Sequence, residues 1–166
     1  NRNANLSEVR DAYAALYEAH PDTFYGRQAL VRQLMLLLYG EAAVDPGALA
    51  AAGALVEALP AGHARRDGAL LLAEYHKVDR NDPATALSYY EMAIDSGLQL
   101  SFETMDYFLM AGSAGWESGN WRAASDYYRQ FLKVSNDDPR DELVRNRLEA
   151  AEKILTGEAV DPDEIL

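Results

Sequence analysis

The chain has 166 residues, 49% hydrophobic and 25% charged, which is enough for one continuous core and too apolar for general disorder. Asp and Glu total 27 against 15 Lys and Arg, and the net charge of −12 argues against nucleic acid and anionic membrane, which reward the opposite sign. There is no cysteine, which excludes disulfides, thiolate metal sites and a cysteine nucleophile, and leaves cytoplasm and periplasm equally open.

Abundant Ala, Leu, Glu and Arg with sparse Val, Ile and Thr lean helical. Residues 1–5 are expected to fray. Ser7 is placed to cap a helix with Val9, Ala12, Tyr13, Leu16 and Tyr17 on one face, ended by Pro21 and Asp22. A greasier second helix, residues 24–41, carries Leu30, Leu34, Leu37 and Leu38 and predicts cover on more than one side. Asp-Pro then recurs at 45–46, 82–83, 138–139 and 161–162. Asp is a favoured N-cap and Pro a favoured first helical residue, so each pair predicts a helix start. That gives helices over 46–59, 83–96 and 139–155, with others over 64–79, 101–118 and 120–135 between them. The short turns predict antiparallel neighbours, a row of helical hairpins.

The hairpins repeat. Ala52, Ala86 and Ala124 align, each followed four residues on by Val56, Tyr90 or Tyr128. Upstream, Gly40, Ala73 and Gly112 occupy a small-residue place, with Leu36, Ala69 and Phe108 one turn earlier. A small residue on each helix lets a hairpin close, and the large residue four on packs against the next. The second copy carries one extra residue, expected in its turn, and the third meets at Gly119 and Asn120.

This pattern resembles the tetratricopeptide repeat family over about residues 34–139. The third copy matches best, through Phe108, Ala111, Gly112, Gly119, Asn120, Trp121, Ala124 and Tyr128; Gly115 departs from the family's tyrosine. The resemblance implies an all-α solenoid of stacked antiparallel hairpins. Flanking helices cover 1–33, repeats cover 34–63, 64–100 and 101–138, and a capping helix covers 139–156. An acidic tail, 157–166, is expected either to be loose, to fold back over the end of the array, or to begin a further helix. An apolar array end would also allow self-association. The chain opens on Asn1 without a signal-peptide pattern and reads as a piece of something longer.

No residue cluster argues for catalysis, a metal or a cofactor. His20, His63 and His76 are scattered, and Glu74, His76 and Asp79 do not share a helix face. Asp137, Asp138, Asp141 and Glu142 lack the glycine and distal glutamate of a calcium loop. Gly112, Gly115 and Gly119 lack the lysine of a phosphate loop. The apolar run at 34–39 is too short to span a bilayer.

By the resemblance, the first helix of each hairpin lines a groove. Its open positions carry over to Glu41 in the first copy, to Asp67, Leu70, Glu74 and Lys77 in the second, and to Asp106, Leu109, Ser113, Trp116 and Glu117 in the third. Leu34 and Leu37 fall on the same face but are expected in the core. The family's clamp for acidic chaperone tails uses Lys and Asn at places held here by Leu37, Leu70, Leu109, Glu41, Glu74 and Ser113, so it is absent. The expectation is a protein-interaction scaffold holding a basic or neutral peptide or partner domain, with an apolar group seated by Trp116 and Leu109. The alternative is a structural or docking segment of a larger bacterial cell-envelope or polysaccharide-export assembly.

Overall fold

Among the described residues, 2–40 and 43–165 of this computed structural model, there are eight α-helices and no strand. They are α1 (Arg2–Ala19), α2 (Phe24–Tyr39), α3 (Pro46–Ala58), α4 (His63–Glu74), α5 (Pro83–Asp95), α6 (Met105–Glu117), α7 (Trp121–Val134) and α8 (Asp141–Leu155). The helices pack as hairpins, α1 on α2, α4 on α5 and α6 on α7. Successive hairpins lean on one another through α2 and α4, α5 and α6, and α7 and α8. The result is an all-α, solenoid-like stack.

Helix starts follow local chemistry. Asp45 accepts from the Ala48 N–H at 2.8 Å and Asp82 from the Thr85 N–H at 3.1 Å, each with proline at the first helical position. Asn120 caps α7 by accepting from the Ala123 N–H at 3.1 Å. The third Asp-Pro behaves differently. Asp138 is occupied by the backbone N–H and guanidinium of Arg140, so it closes a turn and α8 begins two residues beyond Pro139. The fourth opens only a single 3-10 turn, Pro162–Glu164. α6 starts at Met105 rather than 101, because Thr104 accepts from the Ser101 N–H and donates to the Gln99 carbonyl, tying those residues into a turn. At the front of the chain α1 already runs from Arg2, so Ser7 is not its cap.

The extra residue of the second copy does not sit in the turn. It is absorbed as a π-helical turn, Tyr75–Asp79, continuing α4. The i→i+5 bond from the Arg80 N–H to the Tyr75 carbonyl, 3.1 Å, takes up one residue without breaking the helix.

Closeness of α6 and α7 depends on glycine. A Cβ on Gly112 would lie 2.6 Å from the Tyr128 ring, and one on Gly115 would lie 2.7 Å from the Ala124 backbone nitrogen. The family's tyrosine at position 115 would have no room here, because the backbones of α6 and α7 pass each other at that point. On α4, a Cβ on Gly68 would meet Val56 of α3 at 2.9 Å.

The first copy does not close in the same way. Gly40 lies past the end of α2, at its C-cap, so it does not face Ala52. α3 leans on α4 and touches α2 only lightly. A crevice of about 240 Å³ remains, lined mainly by Leu30, Leu34, Leu37, Ala51, Ala52 and Leu55. Leu34 is buried and Leu37 half-buried, as core residues.

Two large apolar clusters run through the stack, beside a small one of Leu30, Leu59 and Ala64. One joins α2 to α6 around Leu34, Leu72, Tyr90 and Phe108, and the other joins α6 to α8 around Trp116, Tyr128, Phe131 and Val144. The tail is not loose. Gly157 (φ +87°) turns the chain after α8, the Glu158 N–H donates to the Lys153 carbonyl at 3.0 Å, and Val160 and Ile165 pack onto the second cluster.

Gly112→Leu should lower stability by roughly 1–3 kcal/mol, because the added side chain must displace the Tyr128 ring. Urea denaturation of the two proteins checks it. Equal midpoints would mean that α6 and α7 do not approach at this point.

Candidate functional site

The open wall of the stack is built from α2, α4 and α6. Between them lies a cavity of about 300 Å³, lined by Gln28, Val31, Arg32 and Met35 of α2, Asp67, Leu70, Leu71 and Glu74 of α4, and Tyr107 of α6. A second hollow, about 580 Å³, continues across α4 to the loop before α6 and is lined by Arg66, Leu98, Leu100 and Thr104 among others. The two meet at Asp67, Leu70 and Tyr107, so they form one trough.

Of the positions expected on the wall, Asp67, Leu70 and Glu74 come together in this trough. Lys77, Ser113 and Glu117 form a separate group. The Lys77 ammonium donates to both Glu117 carboxylate oxygens at 2.6 Å and Ser113 donates to the same carboxylate at 3.0 Å, bridging α6 to the π turn after α4. Asp106 points away, paired at 2.8 Å with Arg140, which also holds Asp138 and lies over the Phe131 ring. Leu109 is half-buried against the second cluster. Glu41 lies outside the described residues.

Trp116 is not the exposed anchor the sequence suggests. It is 8% exposed, meets Trp121 edge-on at 5.3 Å between ring centres, and is covered by the Arg147 guanidinium of α8 at 5.5 Å. The helix that follows the third repeat seals it. An apolar ligand group by Trp116 therefore has no place to sit.

Charge on the wall is less one-sided than the sequence suggests. Asp67 pairs with Arg66 at 2.8 Å, Asp106 with Arg140 and Glu117 with Lys77. Among the described residues, Glu74 alone of the expected wall acids has no ion-pair partner.

Tyrosines surround it. Tyr39 and Tyr107 both have their phenols pushed up by burial first and then by the Glu74 charge. Tyr90 of α5 is fully buried with no hydrogen-bond partner for its hydroxyl. Burial and then Glu74, Tyr107 and Tyr39 raise its phenol further. Tyr107, not Asp106 or Leu109, is what α6 presents to the trough. Nothing in the repeat pattern marks Tyr39 or Tyr107.

His76 diverges from Glu74, as the spacing implies: it stacks on Tyr89 at 5.7 Å, beside Asp82, and burial lowers its imidazole. Among the described residues no group of three His, Asp or Glu could hold a metal ion, and no helix is long and apolar enough to cross a membrane. Compared with family models, curated proteins and solved structures, the chain matches none.

Trp116→Ala should cost about 3–5 kcal/mol of stability, the range for emptying a buried aromatic site. Thermal denaturation checks it, and an unchanged midpoint would put Trp116 on an open surface.

Buried phenols also set an alkaline limit. Burial and then the Glu57 charge hold Tyr89 up to about 12, and burial and then Glu91 hold Tyr127 up to about 12. The folded state keeps these protons after the unfolded chain, titrating near 10, has released them, so folding stability is intact below pH 10 and declines as pH rises towards 12. Denaturation midpoints across that window should fall, and Tyr127→Phe should flatten the slope.

Proposed function

We propose that the chain is a tetratricopeptide-type interaction scaffold that holds an extended segment of a partner protein in the trough between α2, α4 and α6. The observation that carries this reading is the trough itself: two joined hollows run across α4, floored by Leu70 and Tyr107 and bordered by polar groups. An elongated channel with apolar floor and polar rim suits a peptide better than a compact metabolite. Its walls are paired, packed helices, so a ligand meets a preformed surface and the ordering cost falls on the peptide alone.

A specific observation favours the second reading, a structural or docking segment within a larger assembly. Lys77 to Glu117 and Arg140 to Asp106 spend charges on tying neighbouring parts of the stack together, as a spacer requires. In that reading the trough would carry no ligand of its own.

Peptides selected from a displayed random library on the purified chain distinguish the two. Under the scaffold reading, Leu70→Asp combined with Tyr107→Ala weakens the selected peptides at least about tenfold, a loss of roughly 1.4 kcal/mol, with the helical circular dichroism unchanged. Failure to select any peptide, or selected peptides indifferent to both changes, removes the trough as a binding site.

A further inference from the structure

The unpaired acid of the wall sits in a setting that defines the chemistry of what it takes. Glu74 is exposed at the end of α4, where it lines the cavity of about 300 Å³, and it has no cation partner among the described residues. The nearest candidate, Lys77, is committed to Glu117 at 2.6 Å. Arg32 lines the same cavity from α2, is exposed, and makes no ion pair with Glu74.

The array supplies its own comparison. Tyr90 and Tyr128 occupy equivalent places in successive copies, four residues after Ala86 and Ala124. Both hydroxyls are buried without a hydrogen-bond partner of good geometry. In the third copy the neighbouring group from the next helix is a cation: Arg147 of α8 lies by Tyr128 and across the Trp116 ring. In the second copy the charged group acting on Tyr90 is Glu74, with no cation beside it, whereas Tyr128 has Arg147 as well as Glu117. A carboxylate that shares a cavity with an aromatic ring attracts a cation through both charge and ring quadrupole.

We propose that this cavity is a subsite for a cationic side chain, lysine or arginine, of the partner segment, seated between Glu74 and the ring of Tyr107. It rests on the scaffold reading and narrows it, because the remaining wall acids are already neutralised and the basic residue is required at one point only. The ammonium or guanidinium takes the place beside Glu74 that no described residue of the chain fills, and its alkyl stem lies along Leu70.

Nuclear magnetic resonance titration with acetyl-arginine methylamide, followed at the ring signals of Tyr107, tests the subsite directly. Saturable shifts are expected, with acetyl-norleucine methylamide giving none. Glu74→Gln should weaken the arginine probe at least tenfold while leaving the melting temperature in place, and Arg32→Gln, which removes a like charge from the rim, should tighten it. Equal response to the norleucine probe, retention in Glu74→Gln, or weakening in Arg32→Gln would each overturn the proposal. Selected peptides separate this outcome from the broader one. Peptides that bind in the trough without a basic residue overturn the subsite and leave the scaffold standing. Peptides that ignore Leu70→Asp with Tyr107→Ala remove both.

Discussion

The stack depends on how closely α6 and α7 approach. Gly112 gives its space to the Tyr128 ring and Gly115 gives its space to the α7 backbone. With the two helices that close, a large residue on α7 has nowhere to go inside the hairpin except across glycine, and it emerges at the seam with the next helix. Tyr128 therefore delivers its hydroxyl to α8, and Tyr90, behind Ala73 and Ala86, delivers its own to α6. The polar chemistry of each seam follows from a packing decision made one helix earlier.

Those seams then determine where charge remains available. A net charge of −12 suggests an acidic face, yet local pairing removes most of it from the wall. Half-buried pairs such as Lys77 with Glu117, where the lysine side chain is only 11% exposed, hold their geometry better than fully solvated ones. Once Asp67, Asp106 and Glu117 are matched, overall charge no longer distinguishes the trough from any other surface. What distinguishes it is one unmatched carboxylate beside Leu70 and Tyr107, a local feature that composition cannot report.

The helical hairpins were legible because each rests on a local rule. Asp45, Asp82 and Asn120 cap their helices through their own side chains, and the small-residue spacing around Gly112 and Ala124 encodes a real approach of backbones. Asp138 looks identical in sequence to Asp82 but loses its capping role to Arg140, two residues away, a competition that a dipeptide pattern does not contain. The extra residue between Ala73 and Ala86 was countable but not placeable. A longer turn and a π turn have the same length in sequence, and only the packing of Tyr75 into the core selects the second. Trp116 failed for a different reason. Its helix position faces outward from the hairpin in any register, and whether that direction is solvent or core depends on α8, whose placement follows from contacts far along the chain.

The two ends of the stack differ in a way that follows from the same packing logic. At the α8 end, the side that a further hairpin would cover is met by the chain's own tail, with Val160 and Ile165 against the cluster that contains Ala150. Two apolar residues on a short turn replace a helix there, and they shield little area compared with the α7 and α8 seam beneath them. Towards the other end the degenerate first copy leaves α3 leaning on α4 with a crevice against α2, lined on the α3 side by the alanines at 48, 51 and 52, which are too small to fill it. Alanine suits a tight crossing and wastes a wide one. Opposite Ala52, α2 presents Leu30, Leu34 and Leu37 in place of a small residue, so the first crossing stays open.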